Sequence, residues 1–214
     1  MRSRLSSSVE RLWWASQPLL AFAIRRRYSL VRAPEGPPAT NASTLHVCTL
    51  ASMDASTPFV PASFDPPTRL ADAAFVLEPL GPRHNESDYA AWTSSLAHIR
   101  VTPGFPWGDW PHEMSLAENL ADLEMHERDF EDRAGFTYTV LDPGSGEVIG
   151  CLYIYPVRRR DEEGNLIETI AGAASVRSWV RADRASLDEP LWRAVSAWLE
   201  ADWPFERIAY AARD

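Results

Sequence analysis

Residues 136–156 constrain the fold more than any other stretch. "FTYTVLD" (136–142) alternates as a strand does, "PGSG" (143–146) is turn chemistry, and "EVIGCLYIYP" (147–156) is a second apolar run. Two such runs joined by a short Pro/Gly turn pair as an antiparallel hairpin, so the chain must contain a sheet. Gly150, inside the returning strand, predicts a bulge or a close approach of another backbone. "RRRDEEGN" (158–165) reads as a charged, solvated turn, and "AASVRSWVRA" (173–182) as the next strand. A helix follows, with Leu191, Val195, Trp198 and Leu199 as its buried stripe. Ser186 and Glu189 have the spacing of a capping box, and Pro190 suits its first turn. "ERIAYAA" (206–212) is the last strand.

Upstream of the hairpin, order is expected from about Phe75. "FVLEPL" (75–80) reads as a strand that stops at Gly81-Pro82. Asn85 or Ser87 can cap a helix whose apolar positions are Tyr89, Trp92, Leu96 and Ile99. "TPGFPWGDWPH" (102–112) is a loop dense in Pro, Gly and aromatics. Ser115 and Glu118 form a capping box that opens a second helix, with Leu116, Leu120, Leu123 and Phe130 facing the core.

The 214 residues carry a net charge of −9, unevenly spread. Residues 1–52 hold seven arginines against two acids, and residues 53–214 fourteen against twenty-eight; there is no lysine. An acidic body argues against non-specific nucleic-acid binding, which needs a basic face. Cys48 and Cys151 make no disulfide framework, and Cys151 is expected as a buried inert thiol. The five histidines lack metal-ligand spacing, so no metal is expected. The apolar run Trp13–Ile24 is too short to span a bilayer, and Arg25, Arg26 and Arg27 follow it where a secretory signal would have a cleavage site. A membrane anchor is therefore disfavoured, and the expected location is the cytoplasm. Residues 33–70, rich in Pro, Ala, Ser and Thr, are expected to be disordered or extended. Residues 1–72 are thus read as a low-order leader and linker, with Met53 as an alternative start, and residues 73–214 as one domain.

The order strand, helix, helix, hairpin, strand, helix, strand resembles the GNAT superfamily of acetyl-CoA-dependent N-acetyltransferases. The residues that carry the resemblance are "VLDPGSGEVIGCLYIY" (140–155) and "VRSWVRADRASLDEPLWRAVSAWLEADWPFERIAYAAR" (176–213). It implies an α/β (α+β) fold with a mixed, mainly antiparallel sheet flanked by helices. It also implies acetyl-CoA as co-substrate and a small-molecule or peptide amine as acceptor. The family's fourth strand pairs with the pantetheine arm and ends in a Q/R-x-x-G-x-G/A phosphate loop. Carried over, this makes Ser178, Trp179, Val180, Arg181, Arg184 and Ser186 the cofactor-binding residues. The loop's key positions fall on Ala185, Asp188 and Pro190, so both glycines are gone, and Arg181 and Arg184 would reach phosphate through their side chains. Proton acceptors for the amine are expected in the aromatic loop, at Asp109, His112 or Glu113. The family usually continues past the fifth strand with a helix whose tyrosine protonates the leaving thiolate. This sequence stops at Asp214, which leaves Tyr210 to serve and the sheet edge open to a second copy. The alternative reading is a catalytically inactive GNAT-like module that binds a ligand or a protein.

Overall fold

The computed structural model describes residues 58–105, 110–161 and 165–213. Residues 1–57, and with them the leader, lie outside the described residues. A six-stranded sheet is built in chain order from β1 (Leu70–Ala71), β2 (Val76–Pro79), β3 (Phe136–Leu141), β4 (Val148–Arg160), β5 (Leu166–Val180) and β6 (Arg207–Tyr210). All neighbours are antiparallel except β5 and β6, which are parallel. Helices α1 (Asn85–Thr93), α2 (Leu96–Val101) and α3 (Leu116–Glu131) connect β2 to β3, and α4 (Asp188–Asp202) connects β5 to β6.

The hairpin forms as its residues require. Asp142 Oδ1 accepts from the N–H groups of Gly144 and Ser145 at 2.9 and 3.0 Å, and Gly146 takes the left-handed backbone (φ 74°) that closes the turn. At Gly150 the close approach is real: a Cβ there would meet the carbonyl oxygen of Trp179 at 2.3 Å. The β3–β4 register also shifts just beyond the Val140–Gly150 pair. β3 is buried on both faces, so the sheet lies between two cores. On one face Phe136, Tyr138, Leu152, Ile154 and Val176 pack against Leu191, Val195, Trp198 and Leu199 of α4. On the other, Val148, Cys151 and Trp179 pack against Trp92, Ile99 and Leu123 of the first three helices.

Three expectations need correction. Order begins before Phe75: Val60 is in the core, Phe59 stacks on Phe136 and Phe205, and Arg133 donates to the carbonyls of Ala62 (2.8 Å) and Phe64. A Pro-rich composition without periodicity conceals a strap whose few aromatic residues are fastened by side chains far along the chain. The first helix is broken at Ser94–Ser95, and neither Asn85 nor Ser87 caps it; Ser87 Oγ accepts instead from the Val148 N–H at 2.9 Å. The Ser115–Glu118 capping box forms as expected, whereas the Ser186–Glu189 box does not. Residues Ala182–Leu187 wind into a 3₁₀ turn that runs straight into α4, so its N-cap is Leu187.

Candidate active site

The parallel pairing of β5 and β6 runs from Ala173–Arg207 to Val176–Tyr210 and stops there. β5 continues for four residues, to Val180, with no strand beside it on that edge. β6 itself ends at Tyr210, which leaves a gap beside this last stretch of β5. Backbone groups alternate along a strand, so the carbonyl of Ser178 and the N–H of Val180 face this gap together.

The fold is the one that the resemblance to the GNAT superfamily implies. No family model matches the sequence, and no curated protein matches it. Solved structures do. The chain is similar to RimL, a ribosomal L7/L12 α-N-protein acetyltransferase, with 14% identity and a TM-score of 0.48 over 66% of this chain and 68% of that one. It is similar to the ribosomal-protein-S5-alanine acetyltransferase of Vibrio fischeri, with 12% identity and a TM-score of 0.46 over 62% and 67%. It is also similar to the Salmonella typhimurium acetyltransferase that modifies the N-terminal serine of ribosomal protein L7/L12, with 14% identity and a TM-score of 0.45 over 65% and 71%.

The gap is filled by an arginine. The Arg213 side chain is 3% exposed. Its Nη2 donates to the Ser178 carbonyl at 2.9 Å and its Nε to Asp188 Oδ2 at 2.7 Å. Its Nη1 donates to the carbonyls of Ala211 and Pro103. Beside it the Tyr210 hydroxyl shares a 2.5 Å hydrogen bond with Ser178 Oγ. Burial pushes the Tyr210 phenol up to about 12, against the opposing pull of Ser178 and Arg213. A phenol in that state keeps its proton at neutral pH.

The residues assigned to the phosphate turn are engaged with acids. Arg181 forks onto Asp183 at 2.5 and 2.9 Å and lies 3.7 Å from Glu147. Arg184 reaches Asp142 at 3.3 Å, and Ser186 is exposed. Such partly exposed pairs contribute little to stability. Trp179 and Val180 are buried on opposite faces of β5, and their side chains belong to the two cores.

On the face covered by α1, α2 and α3, the helix-side face, the sheet carries a chamber of aromatic and polar groups. Trp110, which precedes a cis proline, lies with its ring 6.2 Å from Tyr153, 6.1 Å from Trp179 and 5.6 Å from Phe105. The Trp179 indole N–H donates to the Tyr153 hydroxyl at 3.4 Å. Asp88, from α1, is almost wholly buried and accepts from Asn119 Nδ2 at 3.1 Å. Burial pushes its carboxyl up to about 6, reinforced by the charge of Asp122. His126, from α3, is held down to about 4 by burial and is neutral. Its Nδ1 lies 2.8 Å from the Tyr155 hydroxyl, whose proton goes to Asp129 Oδ2 at 2.8 Å. That chain assigns the imidazole proton to Nδ1 and leaves Nε2 as an acceptor. Asp88, His126, Trp110 and Tyr153 line a cavity of about 20 Å³, room for one water. A larger groove, of about 340 Å³, lies toward the β4–β5 turn, between residues 58–62, Arg133 and Arg158, away from both sites.

Of the expected proton acceptors, His112 and Glu113 are exposed, and Asp109 lies outside the described residues. Tyr210 and Ser178 are brought together at the gap. Sequence reasoning missed Asp88, His126, Tyr153, Arg177 and Arg213. Asp88 alone left a trace, as a carboxylate one position before the apolar stripe of α1. Among the described residues no group of three or more His, Cys, Asp and Glu could hold a metal, and no helix is long and apolar enough to cross a membrane.

Proposed function

We propose that the chain is an N-acetyltransferase that moves the acetyl group of acetyl-CoA to an amine. The observation that carries this reading is the gap beside β5 beyond its last pair with β6, where the free strand edge is satisfied by a guanidinium. The Ser178 carbonyl accepts there from a side chain and not from a strand. A pantetheine arm offers amide donors and acceptors at strand-like spacing and would take the same partners once Arg213 swings out. The Val180 N–H faces the thioester carbonyl in that arrangement and stabilises the oxyanion as it forms. The amine nitrogen attacks the carbonyl carbon, the carbon–sulfur bond breaks, and the thiolate takes the Tyr210 proton.

The attacking amine loses its proton to a group on the helix-side face. Asp109, His112 and Glu113 remain proposed for this role, and the carbonyl of Pro103, at the start of their loop, accepts from Arg213 at the gap. Asp88 joins them, since a carboxylate with its pKa near neutrality is suited to accept a proton at physiological pH. Arg181 and Arg184 would leave their acidic partners for the diphosphate. Peptide N-termini are acceptors to try first, because the similar solved structures include enzymes named for acetylating ribosomal-protein termini.

The test is CoA release from acetyl-CoA with a panel of peptide N-termini and small amines. Tyr210→Phe is expected to lower kcat about a hundredfold while leaving acetyl-CoA affinity unchanged. An unchanged kcat would remove Tyr210 from the mechanism, and no release with any amine would overturn the reading.

A further inference from the structure

Arg177 is the first residue of β5 beyond the last β5–β6 pair, so it stands at the mouth of the gap. Its side chain points to the helix-side face, opposite to Ser178. Tyr153 is its direct cross-strand partner, so the two side chains lie side by side on the sheet. The aliphatic stem packs against Gly104, where a Cβ would lie 3.7 Å from Arg177 Cγ, and the residue is half-buried. Phe105 and Trp110 stand over Tyr153 at centroid distances of 6.4 and 6.2 Å. The guanidinium has no hydrogen bond and no ion pair among the described residues. A partly desolvated cation without a counter-charge is unusual, because burial is tolerated when the charge is paired. The chain carries a large excess of acids and pairs Arg181, Arg184 and Arg213 with them, yet none of the described acids is paired with Arg177. Burial also holds the Arg177 pKa below its ordinary value, the direction expected of a cation waiting for an anion.

We infer that Arg177 binds a carboxylate on the acceptor, so that the substrate is an amine that also carries a carboxylate and an apolar or aromatic body. This inference rests on the acetyltransferase reading for the amine, but not for the carboxylate. The guanidinium forks onto the carboxylate, and the apolar part lies against the outer side of the aromatic cluster of Phe105, Trp110 and Tyr153. The diphosphate of CoA is not its partner: the turn that would receive it lies at least four residues along β5, roughly 13 Å away.

Two experiments separate this inference from the activity it deepens. In the first, 3-phenylpropionate and 3-phenylpropionamide are titrated into the full chain without acetyl-CoA, and affinity is read by calorimetry. The carboxylate is expected to bind about tenfold to a hundredfold more tightly than the amide, the range of a charge-assisted hydrogen-bonded pair. Arg177→Gln should erase that difference, and Arg177→Lys should keep part of it, since an ammonium retains the charge but not the fork. In the second, L-phenylalanine and L-phenylalaninamide are compared as acceptors. Arg177→Gln should raise KM for phenylalanine alone and leave kcat within about twofold, as loss of uniform binding does. Equal affinity for the carboxylate and the amide in the unaltered chain would overturn the assignment, as would a carboxylate preference that survives Arg177→Gln. Carboxylate binding with no acetyl transfer to any amine of the full panel would support the Arg177 site and sink the acetyltransferase reading instead.

Discussion

Asp88 and His126 share one buried chamber, and burial moves them in opposite senses. Asp88 rises from 3.8 to about 6, so the folded chain binds more protons than the unfolded one between those values. Stability therefore falls as pH rises through that window, and the cost stands in full above it. His126 drops from 6.5 to about 4, so the unfolded chain binds more protons there, and stability falls as pH drops from 6.5 toward 4. Each displacement corresponds to about 3 kcal/mol. Asp88→Asn keeps an acceptor for Asn119 and removes the buried charge. It should raise Tm at pH 8 by roughly 5 °C or more and change it little at pH 4. An equal effect at both pH values would mean the buried charge is not the cause. His126→Gln should flatten the loss of stability between pH 6.5 and 4, read by the same melts. Neither residue was legible as special, because each owes its state to partners far along the chain. Asp88 reads as a helix-start carboxylate until Asn119, 31 residues later, encloses it.

At the scale of elements, the hairpin, the Ser115 capping box and the stripe of α4 were legible, because each is written in residues a few positions apart. The 3₁₀ turn before α4 was not, since a Ser-x-x-Glu spacing cannot show that the preceding turn is already wound. Nor was the Arg213 plug, which depends on β6 bringing the chain back beside Ser178. The plug ties α4 to β5 through Asp188, a residue that also stands at the N-terminus of α4 where a diphosphate would sit. Arg213→Ala should lower the melting temperature of the free chain, because it leaves Asp188 and the Ser178 carbonyl unpaired. The same change should enlarge the rise in melting temperature given by acetyl-CoA, since the arm no longer has to displace a side chain. An acetyl-CoA effect smaller than that of the unaltered chain would show that Arg213 supports the ligand and does not compete with it. Gly150→Ala tests the opposite wall of β5. Its Cβ would strike backbone, so β4 and β5 must separate at a cost of about 1–3 kcal/mol, read by denaturant unfolding.

For the whole molecule, the sheet divides two kinds of work. One face, with α4 and the strap of residues 58–67, is aromatic packing around Trp203, whose ring contacts Phe64, Phe136, Trp198 and Phe205. The other face holds Asp88, His126 and Arg177, which is unpaired among the described residues, while the buried Arg213–Asp188 pair sits at the gap beside β5. Among the described residues β6 is the edge strand next to β5. The central claim is that acetyl-CoA enters this gap, and amide hydrogen exchange of the full chain with and without acetyl-CoA tests it most directly. At a ligand concentration 100 times Kd, the amides of Ser178 and Val180 should gain about a hundredfold in protection, with smaller gains at Arg181–Leu187. Unchanged exchange at Ser178 and Val180, or protection confined to the groove near Arg133 and Arg158, would contradict the claim.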